Sequence, residues 1–169
     1  WVLEAIEPDY LPRSLDEVVV EQIAALDSRN RAMLERAAMF GEDVPLSVLT
    51  GGSNLDESDV LDFLDRAESL GLVKLDFQLN DETMRFLGKR VLELSYGGIE
   101  AKRRQALHEE VGNYQESLYE RRIMPSASLL AYHFKRSANQ EKARRYERVS
   151  LSYTQSVFNP EEAERYGAV

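Results

Sequence analysis

Leu70-Gly71-Leu72 is the point in this sequence that leaves a fold the fewest choices. Before it, Val60, Leu61, Leu64, Ala67 and Leu70 recur at helical spacing, which predicts a helix with one apolar face. Gly71 predicts where that helix stops, because glycine takes the left-handed conformation past a helix end without a steric cost. After it, Leu72 to Phe77 reads as a strand, Asn80-Asp81 as a polar turn, and Thr83 to Phe86 as a second short strand. A helix, a glycine stop and a two-stranded ribbon therefore follow one another within about thirty residues.

The chain on either side is helical in pattern. Residues 1–13 carry Pro8 and Pro12 without sustained periodicity and read as an extended lead-in. Ser14 with Glu17 makes a capping box, and Leu15, Val18, Val19, Ile23 and Leu26 form the expected stripe of the helix that follows. Asp27-Ser28 opens another helix, packed through Met33, Leu34, Ala37 and Ala38 and ended by Gly41. Pro45 is placed as the first-turn residue of a brief helix that stops at Gly51-Gly52. Beyond the ribbon, Lys89–Tyr96 predicts a short helix and Glu100–Arg121 a long one, with Leu107, Val111, Tyr114 and Leu118 on one side. Pro125 breaks it. Ser126 restarts a helix through Leu129, Leu130, His133 and Phe134, and Gln140–Phe158 carries Ala143, Tyr146, Val149, Tyr153 and Val157. Lys142–Tyr146 is echoed faintly by Glu162–Tyr166, as stacked helical repeats would be. The start on Trp1 and a final helix cut short predict that the native protein continues at both ends.

Charge separates the two halves. Residues 1–98 hold 20 acidic and 9 basic side chains, a balance of −11, whereas residues 99–169 hold 10 and 12, a balance of +2. Three helices before a ribbon is the order of a winged helix, a relative of the helix-turn-helix, and many of those read DNA. Here the helix that would enter the groove carries Asp56, Glu57, Asp59, Asp62, Asp65 and Glu68 against Arg66 alone, so phosphates would be repelled. Lys102, Arg103, Arg104, Lys142, Arg144, Arg145 and Arg148 are interleaved with glutamates and read as mixed solvent faces. With no cysteine, disulfides and thiolate metal sites are excluded. No apolar run is long enough to span a bilayer and no leader opens the chain, so no membrane partner and a cytoplasmic location are expected.

No catalytic constellation emerges. Gly51-Gly52-Ser53 lacks the lysine and preceding strand of a phosphate-binding loop, and the serines have no nucleophile-elbow context. His108 and His133 sit on separate helices without the spacing of a zinc pair, and read as packing residues. Asp62 and Asp65 read as solvated carboxylates on an acidic helix face.

In order, these elements resemble the segment that follows the nucleotide-binding core in bacterial STAND NTPases, signalling ATPases related to the AAA+ group. The resemblance rests on Trp1, Leu11-Pro12-Arg13-Ser14-Leu15, the stretch Arg31–Gly41, Leu70-Gly71-Leu72, the ribbon ending in Phe86, Arg103-Arg104-Gln105-Ala106-Leu107-His108, Ala131-Tyr132-His133-Phe134 and Glu141-Lys142-Ala143. It implies a mainly α chain: a lead-in (1–13), a winged-helix domain with a small two-stranded β-ribbon (14–98), and a helical arm opening tetratricopeptide-like helix pairs (99–169). It implies a non-catalytic regulatory segment, not an enzyme in itself, coupling the upstream nucleotide-binding domain to downstream helical repeats and other proteins. ATP or ADP with magnesium would belong to that upstream domain, and no metal or cofactor to this segment. Many relatives have a phosphate-sensing histidine after the second ribbon strand. Gly88 stands there in this chain, flanked by Arg85, Lys89 and Arg90 as the possible nucleotide-facing position. The competing expectations are a DNA-binding winged-helix regulator and a stand-alone interaction scaffold.

Overall fold

Ser14 opens the first helix as a capping box, its hydroxyl accepting from the Glu17 N–H and its own N–H donating to the Glu17 carboxylate, each at 3.2 Å. The computed structural model describes residues 14–51, 56–78, 81–121 and 126–158. These fall into two compact units whose boundary in the chain lies between Gly98 and Ile99, with Gly51 grouped in the second. Among the described residues there are eight helices and one three-stranded antiparallel sheet, so the chain is mainly helical.

The first unit runs α1 (Leu15–Ala24), α2 (Ser28–Ala37), β1 (Asp43–Pro45), α3 (Leu46–Thr50), α4 (Glu57–Ser69), β2 (Val73–Gln78), β3 (Asp81–Phe86) and α5 (Lys89–Gly97). Helix α4 ends as its sequence dictates. Gly71 takes φ +70°, its N–H donates to the Glu68 carbonyl at 2.9 Å, and the Leu72 N–H donates to Ala67 at 3.0 Å. That is the paired bonding of a Schellman stop, and it delivers Leu72 and Val73 buried into the start of the sheet.

The sheet departs from expectation by one strand. Where a two-stranded ribbon was expected, β1 adds on the far side of β3, giving the order β1-β3-β2. Pro45, expected in the first turn of a helix, instead closes β1, and α3 begins at Leu46. A proline is tolerated there because β1 is an edge strand. Asp81 likewise belongs to β3, paired with Gln78, while Asn80 lies outside the described residues. The register puts Val44, Met84 and Leu75 side by side on one face with Val73 and Phe86, and Asp43, Arg85 and Lys74 on the other. Val44, Met84, Val73 and Phe86 are buried, so the first face is the inner one.

Two helices are rotated from the expected stripe. In α4 the buried apolar positions are Val60, Phe63, Leu64 and Ala67, an i, i+3, i+4, i+7 set, with Asp59 buried beside them. Leu61, placed on that face by sequence, is 58% exposed, and Phe63, at 0%, takes the core position. In α1 only Val19 and, just past its end, Leu26 are buried, while Leu15 and Val18 face solvent. Elsewhere Met33, Leu34, Ala37 and Ala38 are buried as expected.

The second unit comprises α6 (Ala101–Glu120), α7 (Ala127–Arg136) and α8 (Gln140–Phe158). Its core gathers Ala127, Leu130, Phe134, Ala143 and Tyr146, with Tyr119 and Ala131 against it. Phe134 and Tyr146 stack at 5.7 Å between centroids, and Tyr119 meets Tyr146 edge-on at 5.9 Å. Gly112 of α6 lets α7 come close: a β-carbon there would stand 3.1 Å from Phe134 Cε1. The echo of Lys142–Tyr146 at Glu162–Tyr166 lies outside the described residues, as do Trp1, Leu11, Pro12 and Arg13 of the resemblance.

Candidate functional site

Gly88 joins β3 to α5 with φ +102°, a conformation that L residues rarely adopt. The backbone geometry of the turn thus gives a reason for glycine at a position where the resemblance leads one to expect histidine. Its N–H already donates to the Phe86 carbonyl at 2.8 Å, and its carbonyl accepts from Val91 at 3.1 Å. The three cations beside it are also engaged. Arg85 stands on the outer face of the sheet between Asp43, which it bonds closely, and Asp76 at 3.5 Å. Arg90 grips Asp16 of α1 with a bond of 2.6 Å from Nε and reaches Glu93 at 3.1 Å. Lys89 lies 3.8 Å from the same Glu93. The hydrogen bond to Asp43 raises the Arg85 pKa, that to Asp16 raises the Arg90 pKa, and Arg90 in turn lowers the Asp16 carboxyl. All three cations beside Gly88 thus face carboxylates of the same unit in this structure.

The outer face of α4 is the opposite case. Asp56 and Asp59 are spent on the helix itself: Asp56 caps Asp59 N–H at 2.9 Å, and the Asp59 carboxylate returns the bond and pairs with Arg29. Glu57, Asp62, Asp65 and Glu68 point to solvent. Among the described residues none of these four, nor Glu82 on β3, forms an ion pair. Arg66, the one cation of this helix, donates to the Ala25 carbonyl at 3.4 Å, beside Arg31, which bonds the carbonyls of Ile23 and Ala24. The two guanidinium groups thus neutralise the negative end of the α1 dipole and leave α4 acidic. Asp62 with Asp65, and Asp65 with Glu68, are like charges at i, i+3, each costing the helix about 0.2–0.5 kcal/mol.

Two hollows flank this acidic ridge. One, about 550 Å³ and open, is lined by Asp27, Asn30, Asp62, Asp65, Arg66 and Ser69. The other, about 340 Å³, lies toward the start of α4 and is lined by Leu46, Ser47, Glu57, Val60, Leu61 and Glu82. Sequence reasoning identified the carboxylates but assigned Leu61 to the core. It therefore missed that an exposed leucine sits among them.

The second unit brings together two residues read as separate. The Nδ1 atoms of His108 and His133 are 3.1 Å apart, both side chains are buried, and Tyr132 stands edge-on to each ring. One ring must donate and the other accept, so the two hold opposite tautomers. Burial pushes both below the ordinary imidazole value; for His108 the cations Arg136 and Arg104 add to it, and for His133 the His108 ring and Arg136 do. Nearby, the buried Glu116 accepts from Tyr146 at 2.7 Å and from Lys142, which also donates to Asn113 at 2.8 Å. Burial works to raise the Glu116 carboxyl, but the hydrogen bonds from Lys142 and Tyr146 outweigh it and hold the pKa low. Burial and the bond to Glu116 push the Tyr146 phenol up. These polar groups tie helices together. Among the described residues no group of three or more histidine, cysteine, aspartate or glutamate side chains is placed to hold a metal ion. No helix among the described residues is long and apolar enough to cross a membrane.

Comparison of the chain with protein-family models, with curated proteins and with solved structures finds no match.

Proposed function

We propose that the chain is a non-catalytic coupling segment of a STAND-type signalling ATPase. The first unit serves as a winged helix seated on an upstream nucleotide-binding domain. The second is a helical arm opening tetratricopeptide-like pairs and passing displacement to a downstream sensor or effector region. ATP or ADP and magnesium stay with the upstream domain, and the location that goes with such a protein is the cytoplasm.

The observation that carries this reading is the order of elements. Helix α2, strand β1, helices α3 and α4, then the β2–β3 hairpin, with strands ordered β1-β3-β2, is an order that suits a winged helix. The unpaired carboxylates of α4 turn that arrangement away from DNA, since Glu57, Asp62, Asp65 and Glu68 would face a phosphate backbone. Three closely packed helices in the second unit, with a three-residue link from α7 to α8, suit the beginning of a repeat array.

Hydrogen exchange on the full-length native protein tests it. Amides of residues 56–98 should change protection between the ATP- and ADP-loaded states, while an unchanged pattern removes the coupling role. Tight, steeply salt-dependent binding of a DNA duplex to the 169-residue chain would favour the transcription-regulator alternative instead.

A further inference from the structure

We propose that the hollow at the start of α4 seats an apolar side chain presented by a cationic, amphipathic segment of a partner protein. The inference rests on the reading that α4 meets protein, and it adds what kind of protein surface that is.

Size and lining set the first requirement. The hollow is about 340 Å³, walled by Leu46, Val60 and Leu61, against roughly 30 Å³ for one water molecule. It therefore admits a leucine or phenylalanine side chain. Leu61 is the exposed wall, at 58%, and covering it removes apolar surface from water.

Charge sets the second. Glu57 from α4 and Glu82 from β3 stand on the rim of the same hollow. Asp62, Asp65 and Glu68 extend the negative ridge along α4. An uncharged apolar occupant would strip water from the rim carboxylates and give them no partner. An anionic occupant, a duplex or an acidic lipid surface, would be repelled. A helix or extended segment with lysine or arginine on either side of an apolar anchor satisfies both demands, and this is the helix-in-groove mode with its charges specified. The electrostatic part should speed association and weaken with salt, while the anchor sets the lifetime.

The test uses the 169-residue chain and a fluorescein-labelled peptide of about 14 residues that repeats Lys-Leu-Leu-Lys. The measurement is anisotropy. Saturable one-to-one binding is expected, about tenfold weaker for Leu61→Ser and about tenfold weaker for the double variant Glu57→Lys/Glu82→Lys. Glu120→Lys, on α6, should change it less than twofold. A peptide with serine for every leucine, and one with glutamate for every lysine, should each bind at least tenfold more weakly. All the substituted side chains are exposed, and circular dichroism confirms that each variant is folded.

Equal binding by the parent chain and the α4 variants overturns the proposal, as does equal binding of the serine peptide, which would leave only a general charge field. Self-association of the chain in sedimentation, abolished by Leu61→Ser, also overturns it by making a second copy the occupant. If a duplex of about 20 base pairs binds tightly while the peptide does not, the protein-facing reading of α4 falls with it. If neither binds, the docking inference alone falls.

Discussion

The two units differ in the polar groups they bury, since only the second buries histidines. At the centre of the first, Leu34, Val44, Phe63, Leu64, Val73 and Met84 make an apolar core; Arg36, Asp59 and Ser95 are buried in the same unit, and the arginine pairs of Arg85 and Arg90 lie outside it. At the centre of the second, His108, His133, Gln115 and Glu116 are buried among the helices beside Leu107, Val111 and Phe134. Exposed ion pairs contribute little and tolerate change. Buried polar groups fix which helix faces meet, and they make the packing depend on protonation. The packing of the second unit should thus depend on the charge state of its histidines near neutral pH, a dependence the first unit lacks.

Acid should separate the units most widely. His108 and His133 are held neutral in the folded second unit, whereas in the unfolded chain they protonate near the ordinary value of 6.5. Below that pH the unfolded chain takes up protons that the folded one refuses, so stability is complete above it and falls as pH drops toward the folded values. With two such groups over two pH units, a loss of about 5 kcal/mol by pH 4.5 is expected. Residue-resolved hydrogen exchange should show α6 and α7 opening while α4 and the sheet stay protected. Simultaneous opening of both units would erase the contrast.

Next in size is Glu116→Ala, which leaves the buried Tyr146 hydroxyl without its acceptor. It should cost the second unit about 2–3 kcal/mol, and Glu116→Gln about half as much, in urea unfolding followed by tyrosine fluorescence. A smaller effect is expected in the first unit from Gly88→His. Nothing lies within 4 Å of a β-carbon there, so the cost of about 1 kcal/mol comes from φ +102° alone. Nucleotide affinity of the intact protein should not rise, and a rise would restore a phosphate-sensing role to this turn. Smallest is Arg90→Ala: the pair with Asp16 is exposed, and the urea midpoint should not move measurably.

What the sequence revealed followed locality. The stop at Gly71, the capping box at Ser14, the start of α7 and the limits of α8 depend on residues a few positions apart, and all could be read directly. Strand β1 could not be read. Three residues ending in proline carry no periodicity, and they become a strand only because β3, some forty positions later, supplies partners. The face of α4 was ambiguous for another reason. Val60, Leu61, Phe63 and Leu64 spread apolar side chains over about 160° of the helix, nearly half a turn, so only packing decides which of them stays outside. The candidate hollow hinges on that choice. The histidine contact joins positions 25 apart on different helices, and nothing local announces it. At Gly88 the backbone angle that favours glycine could not be seen in the sequence either.

Gly112 has a practical consequence. A single methyl group at that position would press on the Phe134 ring, which must give by a few tenths of an ångström, while the helix would gain about 1 kcal/mol in propensity over glycine. Gly112→Ala is therefore a shim. It alters the spacing of α6 and α7 without removing a hydrogen bond, and offers a way to detune whatever travels through that helix pair while the molecule stays folded.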